Sequence, residues 1–320
     1  MIKELTKEKT SLPFGWELTV LGKVCEVIAG QSPKSKFYNT NEEGLAFYQG
    51  QIEIDRPPRT IMSMTGHKYQ KVFDGYYEIL KGDSLVKTVN FKKASYIGDP
   101  DNTTLIFNEL EVDELTLLDI AATNNKKKPN FKILAELANE CFMPLAYGGG
   151  INNFEDAKKI FQIGIEKVVI NSVTFTNTSL ITQLSEHFGN QAIVVSIDVK
   201  KIFGKYQVYY NSGTKKQKAD PVAWAQELER LGAREILLTA IHQEGTWKGF
   251  DINIIEKISN AVNIPVIANG GASSIEDIGK AVKQGCASAV SLGSMVVYQK
   301  KRMGVLVNFP DNSKIKKILL

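Results

Sequence analysis

Two acids in this chain stand where apolar runs end. Asp198 closes Val194-Val-Ser-Ile-Asp-Val199, and Asp119 closes Leu117-Leu-Asp-Ile120. A carboxyl at such a point loses part of its hydration, so its pKa can be moved toward neutrality and it can shuttle protons. The competing role for each is to cap the helix that follows. Four further segments have the chemistry of anion binding. Gly148-Gly-Gly-Ile151 and Asn269-Gly-Gly-Ala272 let backbone N–H groups approach a charged ligand, whereas Asn171-Ser172 and Leu292-Gly-Ser294 stand at helix entries, where unpaired N–H groups and the helix dipole favour phosphate. Tight strand-to-helix turns would explain one Gly-Gly pair. Four segments in two matched pairs point instead to two phosphates, held by Gly149, Gly150, Asn171 and Ser172 on one side and by Gly270, Gly271, Gly293 and Ser294 on the other. Lys87, in Leu85-Val-Lys-Thr-Val-Asn-Phe91, is a loop cation that could reach one of them.

The elements that must position these residues follow from an internal repeat with an offset of 121. At that shift Asp99-Pro100 falls on Asp220-Pro221, Glu114 on Glu235, Pro144 on Pro265, Gly149-Gly150 on Gly270-Gly271, and Glu155-Asp156 on Glu276-Asp277. Within each half, short β-rich apolar runs alternate with amphipathic stretches, the pattern of βα units and a parallel sheet. Strands are expected near 76–81, 114–120, 143–147, 166–171, 192–199, 235–241, 264–269 and 287–292. Eight units in two equal halves predict an α/β (βα)8 TIM-type barrel with a twofold half-barrel repeat over residues 72–320, preceded by a short N-terminal fragment over 1–71. The candidate residues then gather at the carboxyl ends of the strands. At the opposite end Glu114, Lys167 and Glu235 open alternate strands, as either a ring of charge in one internal layer or a solvated rim.

Composition narrows the classes. The chain has 320 residues, 43% apolar and 23% charged, with a net charge of +4. That is a globular balance, and so mild a charge neither demands nor excludes a nucleic-acid partner, the lysines reading as scattered apart from one run. Lys126 to Lys128 read as a solvated loop. No GxGxxG and no metal-ligand spacing occurs, so neither a nucleotide cofactor nor a metal is expected. Cys25, Cys141 and Cys286 lie far apart and read as buried thiols in a reducing compartment, with the cytoplasm as the expected location. No apolar run is long enough to span a bilayer, and no membrane role is expected.

Residues from about 76 to 300 resemble the cyclase subunit of imidazole glycerol phosphate synthase. The resemblance is carried by Leu85-Val-Lys-Thr-Val-Asn-Phe91, Leu117-Leu-Asp-Ile120, Gly148-Gly-Gly-Ile151, Ser196-Ile-Asp-Val-Lys200, Leu237-Leu-Thr-Ala-Ile241 with Gly245-Thr246, and Asn269-Gly-Gly271. It implies a lyase of histidine biosynthesis. Ammonia from a glutaminase partner, bound at the N-terminal face of the barrel, meets a bis-phosphorylated ribonucleotide that is cleaved and cyclised. It further implies that Asp198 is the acid–base catalyst and that Asp119, Thr239 and Glu244 are supporting candidates. Lys87 and the four loops would hold the substrate phosphates, and Glu114, Lys167 and Glu235 would guard the ammonia entrance.

The sequence departs from the family pattern in three places. The family's strand-one aspartate falls at Ile79, with Glu78 expected on the other strand face; an Asp-Arg-Asp-Gly-Thr-like segment appears as His242-Gln-Glu-Gly-Thr246; and an entrance arginine falls on Phe73. His242 is read as either a substitute polar group or a bystander. The ending Gly304-Val-Leu-Val-Asn-Phe-Pro310 resembles a branch found with surface-sugar amidation genes, whose members pair with a glutaminase and feed a separate amidotransferase. Residues 12–54 resemble the start of a target recognition domain of a type I restriction-modification specificity subunit. They are too few to bury such a domain's core, so specific DNA binding is not expected, and a DNA-recognition module fused to an inactive barrel is the remaining alternative.

Overall fold

The 121-residue repeat is visible as paired local structures in the computed structural model, which describes residues 74–80 and 84–319. In chain order the elements are strands β1 (Asp74–Leu80), β2 (Leu85–Lys87) and β3 (Ser95–Gly98), then α1 (Pro100–Glu109), β4 (Glu114–Asp119), α2 (Phe131–Glu140), β5 (Leu145–Gly148), α3 (Phe154–Ile163), β6 (Lys167–Ile170) and α4 (Ser179–Phe188). The second half contains β7 (Ile193–Ile202), β8 (Lys205–Tyr210), β9 (Lys215–Lys216), α5 (Pro221–Arg230), β10 (Glu235–Ala240), α6 (Ile252–Ser259), β11 (Val266–Asn269), α7 (Ile275–Lys283), β12 (Ala289–Leu292), α8 (Ser294–Val297) and α9 (Asn312–Leu319). The two Asp-Pro pairs do the same work. Asp99 accepts from Asn102 N at 3.1 Å to start α1, and Asp220 accepts from Val222 N at 3.0 Å to start α5. Each proline fills a first-turn position whose N–H would be unpaired anyway. Pro144 and Pro265 also match, accepting from Leu115 N and Ile236 N at 2.9 Å each.

All eight expected strands form, and they close on themselves. Parallel ladders run β1–β4–β5–β6–β7–β10–β11–β12 and back to β1. The result is the (βα)8 barrel. Side-chain alternation along these strands divides the core in two. Outward residues such as Leu115, Leu117, Tyr147, Ile170, Val195 and Leu238 join the helices in the main cluster. Inward residues Ala146, Val169, Val194 and Leu237 make a small apolar plug, with Leu118 and Ile267 packed against it. Below the plug on the same strand faces come Glu114, Lys167 and Glu235, and above it Ser196, Asp198, Thr239 and Asn269.

Two features were absent from the sequence expectation. The β2–β3 hairpin and the β7–β8–β9 flap are antiparallel insertions in strand-to-helix connections. The cysteine expectation also needs correction. Cys141 is only partly buried and Cys286 is exposed, because Cys286 lies in the α7–β12 connection with a φ of 55° that turns it away from the core. Lys126 to Lys128 are exposed as expected. Residues 1–71, Phe73 and Cys25 lie outside the described residues. Among the described residues no helix is long and apolar enough to cross a membrane.

Candidate active site

Asp198 is the centre of the barrel mouth. Its carboxylate accepts from Asn171 Nδ2 at 3.0 Å and from Ser196 Oγ at 3.3 Å. The Thr239 hydroxyl is a third partner, and Thr239 Oγ1 in turn accepts from Asn269 Nδ2 at 3.1 Å. Register explains the meeting. Thr239 pairs with Asp198 on one side and with Asn269 on the other, so parallel strands set their side chains in one row. Burial pushes the Asp198 carboxyl up to about 7 despite these three donors. A carboxyl poised there can both give and take a proton at neutral pH.

A second carboxyl stands in the same mouth. Glu244 is buried and accepts from Thr88 Oγ1 at 3.0 Å and from Phe91 N at 3.2 Å through Oε2. Burial raises its pKa, opposed by the positive charge of Lys87. Lys87 is itself buried and belongs to β2, not to the open loop read from the sequence. Asn90 fastens this segment to the turn after β10, donating its side-chain amide to Ile241 O at 2.9 Å and its backbone N–H to Glu244 O at 2.9 Å. Among the described residues, Asn171 Oδ1 and Glu244 Oε1 are buried acceptors with no partner. Such atoms are uncommon in a finished core, and these two can receive donors from a ligand.

The glycine loops have left-handed backbone packed closely against neighbouring chain. Gly150 has φ 68° and would put a Cβ 2.6 Å from Lys127 O, while Gly271 has φ 109° and would drive a Cβ into Gly249 O. Neither position admits another residue without strain. Asp156 and Asp277, equivalent under the repeat, brace these loops by accepting from Asn152 N at 3.4 Å and Ser273 N at 3.0 Å. Ser172 and Ser294 each begin a short helical turn, Ser172–Phe175 and α8. The Ser172 hydroxyl is engaged by the flap, accepting from Asn211 N at 2.9 Å.

Asp119 is not brought into this cluster. Leu118 packs with the barrel interior, so Asp119 falls on the helix-facing side, where burial, and secondarily the Asp119 charge, raises the pKa of Tyr147. Its Oδ1 accepts from Ala121 N at 2.9 Å and Ala122 N at 3.0 Å, the geometry of a turn-stabilising carboxylate. His242 belongs to the flap's fastening. Its Nε2 lies 2.8 Å from Asp251 Oδ2, and Nδ1 accepts from Lys201 N at 3.3 Å, which puts the ring proton on Nε2. Sequence reasoning missed Thr88, Asn90, Ser196 and Asp251. The first two lie in a quoted segment, but nothing local says that they reach residues more than 150 positions away.

At the barrel floor Glu114, Lys167 and Glu235 form a closed triad. Lys167 Nζ lies 2.9 Å from Glu114 Oε2 and 2.9 Å from Glu235 Oε2. Burial pulls the lysine pKa down, but the two carboxylates more than offset that and leave it raised.

Fold and site define a (βα)8-barrel protein with a polar mouth, an apolar plug and a charged floor. Residues 79–302 match the histidine biosynthesis protein family, and the chain belongs to it. A Pseudomonas aeruginosa protein with the provisional name imidazole glycerol phosphate synthase subunit hisF2 is 48% identical over 238 residues, 74% of this chain and 95% of its own. A Vibrio vulnificus protein provisionally named as subunit hisF3 is 43% identical over 243 residues, 75% and 94% of the two chains. The imidazole glycerol phosphate synthase subunit HisF of Alkaliphilus metalliredigens is 40% identical over 224 residues, 70% and 88% of the two chains.

Proposed function

We propose that this chain is the cyclase subunit of an imidazole glycerol phosphate synthase. Ammonia from a glutaminase partner enters past the Glu114–Lys167–Glu235 triad, crosses the apolar plug and reaches a bis-phosphorylated ribonucleotide at the mouth. There Asp198 moves protons while ammonia adds, the ribonucleotide is cleaved, and the imidazole ring closes. Asn171 and Thr239 orient Asp198. Glu244 and Lys87 form the second polar wall, and Gly149, Gly150 and Ser172, with Gly270, Gly271, Gly293 and Ser294, hold the two phosphates. The observation that carries this reading is Asp198, a buried carboxyl at about 7 beside the unpartnered Asn171 Oδ1. The test is incubation of the purified protein with ammonium salt and the bis-phosphorylated ribonucleotide. Formation of both imidazole glycerol phosphate and the aminoimidazole carboxamide ribotide supports the proposal; intact substrate defeats it.

A second reading is favoured by Ile79 at the strand-one position where the family carries an aspartate. In that reading the barrel delivers ammonia for amidation of a surface nucleotide sugar, and its own cyclisation is slow.

A further inference from the structure

The β7–β8 hairpin stands above the barrel rim and ends in a two-residue turn. Ile202 pairs with Lys205, so Phe203 and Gly204 form the turn alone, with φ 48° and 79°. Two positive φ values in a two-residue hairpin define a type I′ turn, whose first position suits Asn, Asp or Gly. Phenylalanine there is strained. It is also 102% exposed, so it contributes no packing within this chain. Neither backbone preference nor core burial accounts for Phe203.

The finger that presents it is tied down at its base. Tyr206 OH donates to Asp251 Oδ1 at 2.8 Å, Lys201 N donates to His242, and the Lys201 and Lys257 ammonium groups lie 5.1 and 5.7 Å from the centre of the Tyr206 ring. An exposed aromatic on a pre-ordered support loses little entropy on docking, which is the condition for an interface hot spot. Within the flap itself the charge has one sign, although Asp251 packs against its base. From Val199 to Ala219 the flap carries Lys200, Lys201, Lys205, Lys215, Lys216 and Lys218, and no Asp or Glu. Those six positive charges exceed the +4 of the whole chain.

We propose that Phe203 and its lysines form a docking finger for a protein partner whose surface offers an apolar socket ringed by carboxylates. The complementary charge steers the encounter and Phe203 anchors it. A nucleic acid fits less well, because Phe203 offers a single open ring whereas a bound strand stacks successive bases on several. Lys200 covers Tyr209, Lys201 and Lys257 cover Tyr206, and Tyr210 lies between Lys215 and Phe175. A bilayer fits less well too, since one aromatic at one turn inserts little apolar area. The inference does not rest on the cyclase reading, although β7 also carries Asp198 and the flap holds Ser172 through Asn211.

The experiment places photoreactive benzoylphenylalanine at position 203 of the full-length chain, with position 207 on the same hairpin as control. The chain is irradiated in its source cells, and the adduct is identified and reconstituted from purified components. The expected result is one acid-surfaced protein trapped at 203 and not at 207. It binds the wild-type chain and loses at least about tenfold in affinity with Phe203→Asn. Lys201→Gln and Lys205→Gln weaken binding and flatten its salt dependence. Phe203→Asn by itself leaves turnover unchanged and raises the melting temperature by about 2 °C, since the turn is relieved. The proposal is overturned by absence of a specific adduct, by an adduct of nucleic acid or lipid, by binding indifferent to Phe203→Asn, or by a lower melting temperature in that variant.

Discussion

Asn171 donates its side-chain amide to Asp198 Oδ2 at 3.0 Å and keeps its own Oδ1 buried without a partner among the described residues. The pair is thus half finished: the carboxyl is oriented, while the amide oxygen is left to a ligand. Asp198→Asn is expected to lower ammonia-dependent turnover by about 10² to 10⁴ with substrate affinity changed only a few-fold, because an acid–base group need not hold the ground state. Steady-state kinetics with saturating ammonium salt check this. Unchanged turnover removes Asp198 from the mechanism.

The same carboxyl makes a stability prediction whose sign is fixed. Its folded pKa of about 7 lies above the ordinary 3.8, so folding favours the protonated form. The resulting stabilisation is complete below about pH 4 and is lost as pH rises through about 7. On the order of 4 kcal/mol separates the two ends of that window. Asp198→Asn cannot titrate, so wild type should lose stability relative to this variant between pH 4 and 7. Denaturant melts across that range are the measurement, and parallel curves contradict it.

The floor triad behaves as a unit. Lys167→Met leaves Glu114 and Glu235 facing each other without their cation, which is expected to cost about 3 kcal/mol at neutral pH. Adding Glu235→Gln should restore part of that loss, a coupling that independent sites would not show. If the triad guards an entrance, glutamine-driven turnover with the glutaminase falls in Lys167→Met more than ammonium-driven turnover does. Equal losses in both assays argue for a purely structural triad.

The phosphate loops predict two anion positions, one near Gly150 and Asn171 and one near Gly271 and Ser294. Crystals grown with phosphate should show both. Gly271→Ala is expected to raise KM by about tenfold or more, since its Cβ is driven into Gly249 O and the loop must shift away from the ligand. A KM within twofold of wild type in a folded variant places the second phosphate elsewhere.

Much of what could be read in the sequence was what repeats, with Asp198 and Lys167 legible only from their places at strand ends. The Asp-Pro pairs, the strand-entry glutamates and the Gly-Gly pairs recur at one offset, and each pair proved to be one structure used twice, down to the matched bonds at Pro144 and Pro265. The antiparallel insertions do not repeat, and with them came the surprises. β2 carries Lys87 into a buried position, and Asn90 and Thr88 reach the β10 turn across 151 and 156 residues. No local pattern encodes a contact of that separation. Asp119 shows a different limit. A strand-ending acid looks the same in sequence whether it enters the mouth or caps a turn, and only strand parity against Leu118 distinguishes the two.

Ile79 decides between the two readings of the barrel. Its backbone pairs in register with Leu118 of β4 and with Val86 of β2, both residues of the barrel-interior cluster or packed against it. If the chain performs the cyclisation, Asp198 serves where the family resemblance implies two aspartates. The wild-type rate should then be low, and Ile79→Asp should raise it by about tenfold or more, the low end of what one positioned acid or base contributes. If the barrel mainly delivers ammonia to another enzyme, the new carboxyl only costs stability, a few kcal/mol unless it is protonated or hydrogen-bonded. Product formation from the ribonucleotide at saturating ammonium, with melting temperatures of wild type and Ile79→Asp measured in parallel, separates the cases. A folded variant whose rate does not rise rules out the cyclase role for this position.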